Sequence, residues 1–332
     1  GTKKIMSPKV SVIVPNYNHA QFLRQRLDSI FNQTFQDFEV IILDDCSTDN
    51  SKEFIEKYRE HPKVSHIVYN ETNSGSPFKQ WAKGFDLAQG EYIWIAESDD
   101  WAELNFLEKL TNTIESYPDL SFAFCDSFII YPNRTERNTL YKENTFNDGL
   151  SFIKDNMIKN ASVYNASAAL FRKNSLTKIK HDYQDFIGSG DYLFWIYLCE
   201  IGNVFYLSEP LNYFQQHESN TTKKNLFSGN VYKENFKIFT YLYSKGYVSF
   251  FKKQSIVLNY LTQLKDENKK RPINPKEYDE ITRLWENVFF IPKLTFIFLR
   301  IKIKTFFWLL LRNPLLNIKG LIRLLRERKL WW

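Results

Sequence analysis

The chain has 332 residues with 43% hydrophobic and 25% charged side chains, the proportions of a globular protein long enough for one large domain with an appendage or for two domains. Cys46, Cys125 and Cys199 are an odd number, widely spaced and without a CxxC pair, which excludes a disulfide framework or a zinc knuckle and suits a reducing cytoplasm. The net charge of +6 is lopsided: ten basic residues from Lys293 to Lys329 face Glu327 alone, so the chain before them is net negative.

No signal-peptide core precedes the first predicted strand, the β-branched run Val10-Ser-Val-Ile-Val14. Pro15-Asn-Tyr-Asn18 reads as a turn, and Ala20 to Gln33 as a helix with Phe22, Leu23, Leu27, Ile30 and Phe31 on one face. Phe38 to Leu43 is a second apolar strand ending in Asp44-Asp45-Cys-Ser-Thr-Asp49, followed by a helix over Ser51 to Arg59. A strand over Val64 to Tyr69, a loop at Asn73 to Pro77 and a helix over Phe78 to Ala88 complete the next repeat. Gly90 closes that helix, and Tyr92 to Ala96 makes a fourth strand. This alternation predicts an α/β fold with a mostly parallel sheet covered by helices on both faces and its loops gathered at one edge.

The fourth strand ends on Glu97, Asp99 and Asp100, three carboxylates within four positions. Burying so much like charge is costly without a cation or hydrogen-bond donors. The carboxyl edge of an open α/β sheet is where such folds bind ligands. Two readings stand: a Mg²⁺ or Mn²⁺ site carrying a phosphate, or an N-cap from Asp99 or Asp100 for a helix beginning near Glu103. No GxGxxG follows the first strand and no Walker motif is present, so the common dinucleotide and ATP cradles are excluded. The acids at Asp44-Asp45 and Asp99-Asp100 suit a nucleoside diphosphate held through a metal.

The stretches Val10-Ser-Val-Ile-Val-Pro-Asn-Tyr-Asn18, Asp44-Asp45-x-Ser47-Thr-Asp49, Asn73-x-Gly75, Gly90-Glu-Tyr-Ile93 and Ser98-Asp99-Asp100, in this order, resemble bacterial family 2 glycosyltransferases of the GT-A fold. The resemblance implies an enzyme that moves a hexosyl or N-acetylhexosaminyl group from a nucleotide-sugar, a UDP-sugar favoured, to a hydroxyl of a glycan or lipid-linked glycan, with inversion. It implies that Pro15 and Tyr17 line the nucleoside pocket, that Asp45 accepts from the base, and that Asp99 sits near the ribose and sugar. Asp100 would bind the divalent metal. Lys79 stands where many relatives carry an arginine, as a phosphate contact. Gly188-Ser-Gly190-Asp191-Tyr-Leu-Phe-Trp195 resembles the family's Glu-Asp-x-x-x-x-Trp segment with Gly190 in place of Glu, which makes Asp191 the expected general base, or else a helix N-cap, with Asp185 in reserve. His217 falls where the family places a histidine near the metal or diphosphate. A catalytically idle sugar-nucleotide-binding subunit of a glycan assembly complex is the alternative, because of Gly190.

Beyond the site, Phe106 to Tyr117 reads as a helix and Leu120 to Ile130 as a strand, then residues 133–150 as a polar loop and Asn165 to Phe171 as a strand. The division expected is a catalytic domain over 1–220, with a nucleotide-sugar part over 8–101 and an acceptor part over 102–220, and a helical region over 221–332. Tyr232 to Ser244 and Ser249 to Lys265 are its predicted helices. Residues 285–332 combine aliphatic and basic faces with terminal tryptophans, the pattern of helices lying on anionic lipid or packed on another subunit. Arg300, Lys302 and Lys304 argue against a membrane span there. The expected place is therefore the cytoplasmic face of the membrane, with no nucleic-acid module and oligomerisation left open.

Overall fold

The structure, a computed structural model, describes residues 7–217 and 228–288. The chain divides into two compact units, Gly1–Asn225 and Leu226–Trp332.

In the first unit, β1 (Val10–Asn16), β2 (Phe38–Asp44), β3 (Val64–Tyr69) and β4 (Tyr92–Ile95) pair in parallel in the order β3-β2-β1-β4. The helices α1 (Ala20–Phe31), α2 (Ser51–Glu56) and α3 (Pro77–Leu87) make the crossovers. Strands β1, β2 and β4 are buried along their whole length, which is why they read as unbroken apolar runs rather than as alternation. Alternate residues nevertheless serve different layers. Val10, Val12 and Val14 share a core with Leu23, Leu27 and Ile30 of α1. Ile13 points the other way, against α3, where a Cβ on Gly84 would lie 2.5 Å from its Cγ2.

The sheet then turns mixed. β9 (Ala169–Arg172) runs antiparallel to both β4 and β6 (Leu120–Tyr131), and β10 (Asn203–Gln215) pairs in parallel with β6. The short β5 (Trp101–Ala102) and β8 (Thr145–Asn147) pair antiparallel with β10, and β7 (Arg134–Asn138) with β6. The remaining helices are α4 (Phe106–Ser116), α5 (Gly149–Asn156) and α6 (Gly190–Ile201). α6 is buried almost all round, and its Phe194 and Trp195 pack against Phe171 of β9.

Three expectations for this unit need correction. The segment 133–150, read as a loop, contains β7 and β8; β7 is an exposed, polar edge strand with no apolar alternation to betray it. The strand expected over Asn165 to Phe171 starts as a 3-10 turn at Ala166–Ala168 and becomes strand only at Ala169. The helix after the acids starts at Phe106 with Asn105 as N-cap, so neither Asp99 nor Asp100 caps it.

The second unit contains α7 (Asn230–Ser244), α8 (Phe250–Lys270) and α9 (Pro275–Glu286). They close around Trp285, which stacks on Tyr260 with centroids 4.3 Å apart and donates through Nε1 to Tyr232 O at 3.2 Å. Among the described residues, no helix is long and apolar enough to cross a membrane. Most of the segment expected to lie on lipid, from residue 289 onward, falls outside the described residues.

Candidate active site

The parallel strands β1, β2 and β4 all end at one edge of the sheet, and their following loops are tied to one another. Asn16 at the end of β1 donates from Nδ2 to Asp44 Oδ1 of β2 at 2.8 Å. Ser47 donates to the same carboxylate from its backbone N (2.9 Å) and its hydroxyl (2.6 Å). Asn18 and Cys46 take left-handed backbone angles (φ 56° and 63°), and Asn18 Oδ1 accepts from Thr48 N at 2.7 Å. Pro15 is buried within β1, while Tyr17, one step past the strand, is 44% exposed.

Asp45 is nearly inaccessible and organises the third loop. Its Oδ1 accepts from Asn70 Nδ2 (2.7 Å), Ser74 N (2.9 Å) and Gln80 Nε2 (3.0 Å), and its Oδ2 from Ser74 Oγ (2.8 Å). Oδ2 thus keeps capacity for a further donor. Lys79, on the exposed side of α3, reaches back to Ser74 O at 3.3 Å. The next residues of α3 join two strand tips. Gln80 holds Asp45 and Trp81 Nε1 donates to Glu97 Oε1 at 2.8 Å.

The three acids after β4 have three separate environments, which is how the fold accommodates their charge. Glu97 is pushed up to about 8 by burial and by Asp99, so it is protonated near neutral pH. Asp100, 1% exposed, is raised to about 7 by burial and by Asp99, against the pull of Arg26 and of its hydrogen bonds. Its Oδ2 accepts from Asn165 Nδ2 (2.9 Å) and Ser167 Oγ (2.7 Å), and its Oδ1 from Gln215 N (3.1 Å). For Asp99 burial pulls upward, but the bond from His217 and the nearness of His19 and His217 win, holding it below the usual carboxylate range. Beneath them lies Arg26, fully buried, its Nε donating to Glu97 O at 3.0 Å and its guanidinium 4.8 Å from the Trp94 ring centroid. Burial lowers Arg26 to about 10, against Asp100, Glu97 and Asp99, so it stays a cation. Its two terminal nitrogens find no hydrogen-bond partner among the described residues.

His19, Asp99 and His217 bring ligand atoms within 4.8 Å of one another. They come from the loops after β1 and β4 and from the end of β10. His217 Nε2 lies 2.9 Å from Asp99 Oδ2, His19 Nδ1 meets Ser98 Oγ at 2.9 Å, and the two imidazoles pack edge to face. Two nitrogens and one carboxylate fit a divalent cation, and a borderline ion such as Mn²⁺ better than Mg²⁺, which prefers oxygen alone. Asp100, the expected ligand, lies outside this set because its oxygens turn inward to Asn165, Ser167 and Gln215. Asp99, expected near the ribose and sugar, lies inside it.

Asp191 stands half-buried in the first turn of α6, its Oδ1 accepting from Tyr192 N at 2.8 Å; Ser189, not Asp191, occupies the N-cap position. This helix start is pressed against the start of α3. A Cβ on Gly190 would lie 2.5 Å from both Phe78 Cδ2 and Tyr183 O, so the glycine that replaces the expected glutamate is imposed by packing. Ser76, the N-cap of α3, donates to Phe186 O at 2.6 Å and strengthens the joint. Asp185 is exposed at the end of a 3-10 turn.

Sequence reading missed His19, Arg26, Trp81, Asn165 and Ser167. Only Arg26 left a signal, sharing the apolar face of α1 with Leu23, Leu27 and Ile30.

The model of Glycosyl transferase family 2 matches residues 11–180. TuaG of Bacillus subtilis is 36% identical over 118 residues, 35% of this chain and 45% of that protein. TarS of Staphylococcus aureus, a poly(ribitol-phosphate) beta-N-acetylglucosaminyltransferase, is 38% identical over 113 residues, 33% of this chain and 19% of that protein. The matched stretch therefore spans less than half the length of either relative. The crystal structure of TarS 1–349 in complex with UDP-GlcNAc superposes with a TM-score of 0.58 over 84% of this chain and 72% of that one, at 21% identity, a likeness of fold.

Proposed function

Because this chain belongs to glycosyl transferase family 2 and shares its GT-A fold, we propose that it transfers a sugar from a UDP-sugar to a hydroxyl of a glycan or lipid-linked glycan in surface-polymer assembly, with inversion at the anomeric carbon. The single observation that carries the reading is the cluster of His19, Asp99 and His217, built from three loops at the carboxyl edge of the sheet. A hexosyl or N-acetylhexosaminyl group suits the pairing with TarS, whose solved complex holds UDP-GlcNAc.

In this reading His19, Asp99 and His217 hold a divalent cation, Mn²⁺ or Mg²⁺, which when bound supplies positive charge to the departing diphosphate. Asp100 keeps the loop in shape through Asn165, Ser167 and Gln215 N. Pro15 and the exposed Tyr17 side the nucleoside, and the remaining acceptor capacity of Asp45 Oδ2 faces a base N–H. Lys79 swings from Ser74 O to a phosphate. Asp191 takes the proton of the acceptor hydroxyl as that oxygen attacks, a role worth about 10²–10⁴ in rate. The basic stretch 293–329 keeps the enzyme beside a lipid-linked acceptor at the cytoplasmic face of the membrane.

Calorimetry with UDP and UDP-GlcNAc, with and without Mn²⁺, coupled to an assay of UDP release, tests this. The reading expects cation-dependent donor binding and slow UDP release by water, faster with acceptor. Binding without any release would favour the idle sugar-nucleotide-binding subunit. No binding of a nucleoside diphosphate with either cation would reject both.

A further inference from the structure

The second unit carries an aromatic projection that its own packing leaves in water. Helix α7 ends at Gly246, left-handed at φ +73°, with Gly246 N donating to Tyr243 O (3.0 Å) and Tyr247 N to Leu242 O (3.1 Å), the paired bonds of a Schellman stop. Val248 is buried, and Ser249 caps α8 by accepting from Lys252 N at 3.3 Å. The corner is fixed at both ends, and that fixes where the next two residues point. Phe251 is 79% exposed and Phe250 44%, their rings edge to face with centroids 5.8 Å apart.

A single exposed apolar residue needs no explanation. Here the surrounding charge supplies one. Between Glu234 and Asp266 the sequence holds five lysines and no acid. Lys245 and Lys252 are exposed beside the two phenylalanines, and Lys253 Nζ lies 4.4 Å over the ring of the part-exposed Tyr243. Lysine is depleted where proteins dock on proteins. Aromatic tips rimmed by lysines are the composition of a surface that rests on anionic lipid.

We propose that the corner between α7 and α8 is a lipid contact: Phe250 and Phe251 enter the headgroup–acyl boundary of an anionic bilayer while Lys245, Lys252 and Lys253 meet its phosphates. The contact is separate from the basic stretch 293–329 and does not depend on the sugar-transfer reading.

The test places an environment-sensitive nitrobenzoxadiazole probe at this corner in the full chain, as Phe251→Cys in a Cys46→Ser background. The probe reports its own surroundings whatever other segment binds lipid. Vesicles of phosphatidylcholine and phosphatidylglycerol at roughly 7:3 should shift its emission to the blue, raised salt should reverse the shift, and pure phosphatidylcholine should have little effect. The triple change Lys245→Glu, Lys252→Glu, Lys253→Glu, checked for an unchanged melting temperature, should weaken the vesicle response about tenfold or more. No shift with anionic vesicles, or an equal shift with pure phosphatidylcholine, would overturn the proposal. A shift that grows with protein concentration and needs no lipid would assign the corner to a second copy of the chain instead.

Discussion

The two neighbouring aspartates make opposite predictions, and Asp100→Asn is the sharper. Asp100 is 1% exposed and accepts three hydrogen bonds, two on Oδ2 and one on Oδ1. Asparagine keeps one of these oxygens and replaces the other with an NH₂. The better orientation keeps the oxygen toward Asn165 and Ser167, leaving a buried donor facing Gln215 N–H. An unsatisfied buried donor costs about 1–3 kcal/mol. At about 2–4 °C per kcal/mol for a domain of this size class, melting should fall by about 2–12 °C. Asp99 has 15% side-chain exposure and a bond from His217, so Asp99→Asn should change melting by less than about 2 °C. The cation-binding pattern reverses. Titrating Mn²⁺ and reading the free ion by electron paramagnetic resonance, Asp100→Asn should keep affinity within about threefold and Asp99→Asn should lose at least about tenfold, as much as outer-shell losses cost elsewhere. An Asp100→Asn protein that melts like the parent yet no longer binds Mn²⁺ would refute this division of roles.

Other outcomes follow from the same geometry. Gly190→Ala forces a Cβ into Phe78 and the carbonyl of Tyr183, so thermal melting should show a loss of about 1–3 kcal/mol, with turnover falling as Asp191 is displaced; unchanged melting would mean the joint is loose. Asp191→Asn should lower kcat by about 10²–10⁴ while calorimetry shows donor binding intact. After chelation, Mn²⁺ should restore donor binding at lower concentration than Mg²⁺, because two of the three proposed donors are imidazoles. Equal restoration by the two ions would point to an all-oxygen site.

The amino-terminal half of the fold was readable because parallel strands buried on both faces must be continuous apolar runs. Val10 to Val14, Phe38 to Leu43 and Tyr92 to Ala96 each carry that mark. β10 was not readable: Ser208, Glu209, Pro210 and Asn212 interrupt it, and its pairing with β6 shifts register on either side of Pro210. At the site, residue types and strand tips were visible, but orientation was not. Past Ile95 the strand period no longer fixes which way a side chain points, so nothing local separated Asp99 from Asp100. The partners that decide it, Asn165, Ser167 and His217, lie 65 to 118 positions away. Gly190 posed the same difficulty, since its neighbours Phe78 and Tyr183 come from other segments.

Crystals grown with UDP and Mn²⁺, measured at a wavelength where manganese scatters anomalously, would bear on the site most directly. A single anomalous peak shared by His19, Asp99 and His217, beside density for the diphosphate, is the predicted result. A peak on Asp100 or Asp45, or UDP bound elsewhere than the edge where β1, β2 and β4 end, would contradict it.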